Sequence, residues 1–344
     1  MGAQAVLAFD FGGSKVSVAL SDLGGRRILD ATIPTRPAEG ARWNFDQAVE
    51  TGRQLIARAG GGSDGRAPRL AAVGACTFGI PTASGVLLAP AIPGWGDLVL
   101  DAELSEALEC PLVRVGTDVK AAAQAEALEG ALVGADPAVY LNLGTGLAVG
   151  IVFGGQVVAG ANRAAGEIGY NLRQPADLDL PPASRARLED VVSGMALAAA
   201  GSRAAGAKLS AADVFEQENC DGALSAALDG FVRELSFHLV NLVIAIDPAR
   251  VAVGGGIVRS WDRIEAPLRA ALSDFVPFPP ALVPGAYPYD AALVGAINLG
   301  VQAARQARRA RSYPVAASPS GQRRLDHSKG KRPLQEARTW GTTT

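Results

Sequence analysis

Apolar runs broken by glycine turns occur twice in the same order along this chain. The first series opens with Ala5–Phe9 and reaches the polar turn Asp10-Phe11-Gly12-Gly13-Ser14-Lys15. It resumes over Val16–Leu20, turns at Asp22–Gly25 and ends over about Arg27–Ile33. The second series runs Tyr140–Leu143, Gly144-Thr145-Gly146, Leu147–Phe153, a Gly154-Gly155 turn and the short run Val157–Val158. Each predicts strand, glycine turn, strand, turn, strand. Helical spacing follows over Asn44–Ala59, Leu100–Glu109, Asp118–Glu129 with Thr117 as its cap, Ala223–Ile246, Ile264–Phe275 and Ala291–Arg305. Further strands are predicted at Leu70–Phe78, Leu112–Val115 and Arg250–Val253, with loops at Gly60–Arg69 and Leu88–Trp95 and helical pieces over Gly201–Cys220. Meanders alternating with helices, repeated in two halves, predict a duplicated α/β protein with two similar lobes.

Composition narrows this picture. The chain has 344 residues, 49% of them hydrophobic, enough for one large or two medium domains. The net charge of −2 is unevenly spread. From Arg305 to Thr344 there are ten Lys/Arg and two Asp/Glu, a balance of +8, so the remainder carries −10. An acidic body argues against nucleic acid as a partner. The tail from 306 is rich in Arg, Ser, Pro, Gly and Thr, and is expected to be disordered. Cys76, Cys110 and Cys220 lie far apart, with no zinc-site spacing, which fits a reducing compartment. Acidic Asp10 interrupts the first apolar run, and no basic segment precedes it, so a signal peptide is not expected. No apolar run approaches the ~20 residues of a membrane span. A cytoplasmic location follows as the expectation.

Several familiar chemistries fail on spacing. Val149 stands where the dinucleotide fingerprint needs a glycine after Gly144-Thr145-Gly146, and no GxxxxGK[ST] run occurs. The two histidines, His238 in the long helix and His327 in the tail, are too few for a His-based triad or a multi-histidine metal site. Carboxylates and glycine turns remain. Asp10 ends a strand before Gly-Gly, as a Mg2+ or metal-water partner or as a turn-stabilising residue. Asp118 starts a helix, as a general base aimed into a cleft or as an N-terminal charge. Glu167, between Gly166 and Gly169 in an apolar loop, needs a partner if buried. Gly254–Gly256 can admit a nucleotide or simply turn the strand into a helix.

Taken together, these segments resemble the ROK family of sugar kinases and regulators over about residues 5 to 305. Asp10-Phe11-Gly12-Gly13-Ser14-Lys15 is similar to the family's first phosphate motif, Asp-Ile-Gly-Gly-Thr-Lys. Gly144-Thr145-Gly146 is similar to its second phosphate turn. Gly160-Ala161-Asn162 through Gly166-Glu167-Ile168-Gly169 is close to its signature, and Leu188–Gly194 resembles the stretch after its zinc site. Asp247-Pro248 with Val253–Gly256 resembles its adenosine motif, and Gly79-Ile80-Pro81 with Ala89–Trp95 its sugar-cleft loops.

The resemblance implies the actin/hexokinase-like, ribonuclease H-like, duplicated two-lobed ATPase fold. Its lobes would be 1–116, completed by the helix at about 291–305, and 117–290. It implies an ATP-dependent kinase phosphorylating a hydroxyl of a hexose or hexose derivative. Asp118 would be the base. Glu167, Thr117, Tyr170 and Gly79 would face the sugar. Asp10, Gly12, Gly13, Ser14, Lys15, Gly144, Thr145, Gly146, Gly254, Gly255 and Gly256 would face ATP, with Asp10 placing Mg2+ indirectly. A homodimer is the family's habit.

Departures from the family pattern fall on the sugar side. Ala91 replaces an Asn, and Thr117-Asp118-Val119-Lys120 replaces Asn-Asp-Ala-Asn. Tyr170 replaces a sugar- and zinc-binding His, and residues 171–187 contain no Cys, so zinc is not expected. A non-catalytic sugar-binding homologue or regulator is the alternative. The family's repressors carry a DNA-binding helix-turn-helix ahead of the first phosphate motif, which here starts at Asp10.

Overall fold

The computed structural model describes residues 3–60, 66–217 and 222–312. Cys220, His327 and the tail beyond 312 lie outside the described residues. The first glycine-turn series forms β1 (Gln4–Phe11), β2 (Lys15–Ser21) and β3 (Arg27–Pro34). Joined by β4 (Arg69–Thr77) and β7 (Val113–Thr117), they build a five-stranded sheet in the order β3-β2-β1-β4-β7. The second series forms β8 (Ala138–Leu143), β9 (Leu147–Phe153) and β10 (Gln156–Val157). With β11 (Arg250–Gly254) and β12 (Ala281–Pro284) they build the sheet β10-β9-β8-β11-β12. The two sheets match strand for strand: an antiparallel meander, then two parallel strands. The duplication expected from the pattern is thus present in the topology.

Strand alternation decides which side chains meet which layer. On β1, Leu7, Phe9 and Phe11 enter a core with Phe45 of α1 (Gly40–Ala59) and buried Trp95. Val6 and Ala8 face the other way, packing with Leu293 and Ile297 of α8 (Ala291–Ser312). Asp10 shares the parity of Val6 and Ala8, so it points toward α8 and the middle of the molecule. Each sheet is followed by a helix that closes this middle layer. α3 (Asp118–Glu129) leaves β7 and packs on β8 and β9, while α8 leaves β12 and packs back on β1 and β4. The two helices cross closely: a Cβ on Gly295 of α8 would lie 2.1 Å from the carbonyl oxygen of Ala121. α4 (Gly194–Ala205), α5 (Ala211–Gln217), α6 (Gly222–Ile246) and α7 (Trp261–Phe275) surround the second sheet, where Leu228, Phe231, Leu235 and Leu239 of α6 supply much of the core.

Three differences from expectation have physical reasons. The hairpin of β5 (Ile80–Thr82) and β6 (Gly85–Leu87) was not predicted, because three-residue strands containing Pro81 carry too little periodicity. β12 was missed because prolines crowd its flanks and it pairs on one side only. Residues 306–312, expected to be disordered, continue α8 to Ser312. They are mostly Arg, Ala and Gln, which favour helix, and Arg308 bonds Gln4.

Candidate active site

The C-terminal ends of the parallel strands from both sheets open on one cleft of about 580 Å³, the usual place for a ligand in α/β sheets. Its walls include Asp10 and Ser14 from the first glycine turn and Asp118 from the start of α3. Gly144–Gly146 follow β8, and Gly255 and Gly256 follow β11.

The two glycine turns are closed in related ways, the first over one more residue than the second. The first residue of each donates its N–H within the turn: Gly12 to the Lys15 carbonyl at 3.0 Å, and Gly144 to the Gly146 carbonyl at 3.1 Å. These two amides close the turns rather than point into the cleft, while Gly13, Ser14 and Lys15, and Thr145 and Gly146, stand along its wall. The turns meet: Ser14 Oγ lies 3.4 Å from Thr145 Oγ1, although 131 residues separate them. Glu189 braces the second turn, its Oε2 accepting from the Leu147 N–H at 2.8 Å.

Two half-buried aspartates lie in this cleft. Burial pushes the Asp10 carboxyl up to about 6, opposed by a Cys76 thiol bond and by Lys15. That thiol donates to Asp10 Oδ1 at 3.4 Å. Burial also pushes Asp118 up to about 7, and the negative charges of Asp10 and Glu167 push in the same direction. One Asp118 oxygen accepts from the Val119 N–H at 2.8 Å, which turns the carboxylate at the helix start. A carboxyl titrating near neutrality beside a second one is characteristic of functional sites.

The residues expected to face a sugar are less uniform. Gly79, Glu167 and Tyr170 line the cleft. Gly79 has a φ of +76°, and a Cβ there would also sit 2.5 Å from the Leu87 carbonyl oxygen, so only glycine fits. Burial raises the Glu167 carboxyl and Lys120 lowers it; Lys120 Nζ is 3.6 Å from Glu167 Oε1. Tyr170 lies beneath the Arg187 guanidinium, 5.5 Å from the ring centre, and Arg187 is held by Asp190 at 2.8 Å.

Two candidates sit elsewhere. Thr117 is buried off the cleft wall, and its hydroxyl accepts from the Lys120 N–H at 3.4 Å, so it caps α3. Gly254 lies off the cleft wall and makes room for Tyr140, whose hydroxyl would be 2.1 Å from a Cβ there. Its neighbours Gly255 and Gly256 do line the cleft.

Asn142, Arg187, Met195, Arg259 and Tyr289 also line the cleft, although no expectation from the sequence fell on them. Arg259 stacks on Tyr289 with its guanidinium carbon 4.7 Å from the ring centre. Neither belongs to a local motif, so only the fold could have brought them together.

Paired sheets of identical topology, with two glycine turns facing across a cleft and aspartates between them, define the actin/hexokinase-like class. Within that class the chain belongs to the ROK family, whose family model matches residues 6–302. It is 26% identical to the glucokinase of Halalkalibacterium halodurans, covering 76% of this chain and 82% of that protein. It is 28% identical to the N-acetyl-D-glucosamine kinase of Escherichia fergusonii, covering 72% and 83%. Among solved structures, a ROK family glucokinase from Streptomyces griseus in complex with glucose and AMPPNP superposes with a TM-score of 0.70. That match has 26% identity and covers 87% of this chain and 99% of the other.

Proposed function

We propose that the protein is an ATP-dependent carbohydrate kinase, transferring the γ-phosphoryl group of ATP to a hydroxyl of a hexose or an N-acylated hexose derivative. The observation that carries this reading is Asp118: a half-buried carboxylate raised to about 7, set in the cleft that both glycine turns line. Asp118 takes the proton from the acceptor hydroxyl as its oxygen bonds to the γ-phosphorus and the bond to the ADP leaving oxygen breaks. The amides and hydroxyls of Gly13, Ser14, Thr145 and Gly146, with the Lys15 ammonium, hold the phosphates. Gly12 and Gly144 shape the turns that present them. Gly255 and Gly256 let the backbone approach the nucleoside. Glu167 accepts from acceptor hydroxyls, with Tyr170 and the backbone at Gly79 completing that wall.

Mg2+ fits the residues present. It keeps several waters and binds through one or two carboxylates plus substrate phosphates, and Asp10 and Asp118 bring two carboxylates into the cleft, both raised by burial and Asp118 also by the like charge of Asp10. Asp10 would hold the ion through its water shell, and the ion would neutralise phosphate charge.

The lobes proposed are 1–116 with 291–305, and 117–290; the packing of α8 on β1 and β4 and of α3 on β8 and β9 supports the division. A cytoplasmic, homodimeric state is part of the same proposal. The exposed apolar side chains Phe237, Ile244 and Phe275 on α6 and α7 support pairing of two copies, which sedimentation would test.

The test of function is ADP release from ATP and Mg2+ over a panel of hexoses and N-acyl hexosamines. Sugar-dependent release with at least one is expected. Sugar binding without any release would favour the non-catalytic alternative.

A further inference from the structure

Thr117, Asp118 and Lys120 share the first turn of α3, but only Asp118 of the three faces the cleft. Lys120 runs instead to Glu167 on the second lobe's signature loop, Nζ to Oε1 at 3.6 Å, with its side chain 13% exposed. A lysine this enclosed costs free energy unless it is paired. Its backbone is fixed as well, because the Thr117 hydroxyl accepts from its N–H. The other titratable groups acting on Glu167 or on which it acts are Glu189, Asp118 and Tyr170, and the nearby Arg187 guanidinium acts on Tyr170 and is held by Asp190. The carboxylate therefore stands among like charges, and Lys120 is the cation that the structure places against it.

We propose that Lys120 is a positioning residue for acceptor recognition, holding Oε1 of Glu167 so that this carboxylate offers a single oxygen to one hydroxyl of a neutral sugar. The inference rests on Glu167 being acceptor-facing. A carboxylate with both oxygens free can grip two neighbouring hydroxyls; one already tied to an ammonium reads one. The substituent on the adjacent carbon is then left unread by Glu167, and a deoxy or N-acyl group is tolerated there. Thr117 and Lys120 act as a unit: the cap fixes the lysine, the lysine fixes the glutamate, and the same helical turn carries Asp118. The spacing between the base and the acceptor-binding carboxylate is thereby set by one turn of helix.

The test compares the full chain with Lys120→Met and Lys120→Arg. Calorimetry measures binding of a hexose and its single-deoxy analogues, and coupled ADP release measures turnover. In the parent protein, loss of one particular hydroxyl should weaken binding about 10- to 100-fold, the range of a hydrogen bond to a charged group, and loss of its neighbour much less. Lys120→Met should free Oε1 for the neighbouring hydroxyl, so that loss of either hydroxyl now weakens binding and tolerance of a deoxy group at the adjacent carbon is lost. The change should appear in KM rather than kcat, and Lys120→Arg should restore the parent tolerance. If Lys120→Met keeps the parent ratio of hexose to deoxy affinity, or weakens every sugar and ATP alike, the proposal is overturned. Discriminating binding without turnover would remove the kinase reading and leave this one standing. Turnover with an unchanged ratio would remove this one alone, and no sugar binding by the parent protein would remove both.

Discussion

Asp118→Asn should make the folded protein more stable at neutral pH. The cleft holds this carboxyl at about 7, against an ordinary 3.8, because burial and the charges of Asp10 and Glu167 oppose its ionisation. A folded-state value above the unfolded one adds stability at pH below 3.8, and that stability is lost as pH rises through about 7. The whole displacement corresponds to about 4 kcal/mol. Water at the cleft mouth screens much of it, leaving roughly 1–2 kcal/mol. Asparagine keeps the shape and the Val119 contact without the charge. For a chain of this length, 1–2 kcal/mol is about 1–3 °C in Tm. Thermal unfolding of both proteins, without nucleotide or metal, should show the variant's advantage growing from pH 5 to pH 8. An advantage that is absent, reversed or constant with pH would refute the claim that Asp118 is held ionised against the preference of its surroundings.

Other outcomes follow from the same geometry. As a base, Asp118 must be ionised, so kcat/KM for sugar should climb through pH 7, with about a tenth of the plateau remaining at pH 6; a flat pH profile from 5.5 to 8 would contradict this. Gly166→Ala places a Cβ 1.9 Å from the Val149 carbonyl oxygen at a φ of +87°, so the loop must move. A large rise in sugar KM with ATP affinity kept is expected, whereas an unchanged KM would separate this loop from acceptor binding. Glu126 is fully buried and accepts from the N–H groups of Ala131, Ala286 and Tyr287 at 2.7, 3.0 and 2.9 Å. Glu126→Ala should cost about 2–4 kcal/mol by chemical denaturation, because three donors lose their partner; a loss under about 1 kcal/mol would show that the loop at 285–287 is held by other contacts.

The architecture was legible because it is written in local periods. Apolar runs and glycine turns gave both meanders, and Thr117 announced the start of α3 one residue before Asp118. The glycine turns also marked one side of the cleft, where a Cβ on Gly12 would lie 2.7 Å from the Lys15 carbonyl oxygen and one on Gly146 2.5 Å from Glu189 Oε2. What could not be read locally was pairing across the fold. Lys120 and Glu167 sit on different elements, and from sequence Lys120 reads as a lost asparagine rather than half of an ion pair. Arg259 with Tyr289, and Ser14 with Thr145, become neighbours only when the two sheets face each other. Gly254 illustrates the opposite error: a run of three glycines suggested one role, yet its first member makes room for the Tyr140 ring.

Asp118 as the base of phosphoryl transfer is the central claim. The most direct measurement is sugar-dependent ADP release by Asp118→Asn beside the parent protein, with ATP affinity of both measured by calorimetry. The structure leads us to expect turnover reduced by at least about a hundredfold, the lower end of what a general base contributes, with ATP bound nearly as before. A variant that keeps the parent rate would contradict the account.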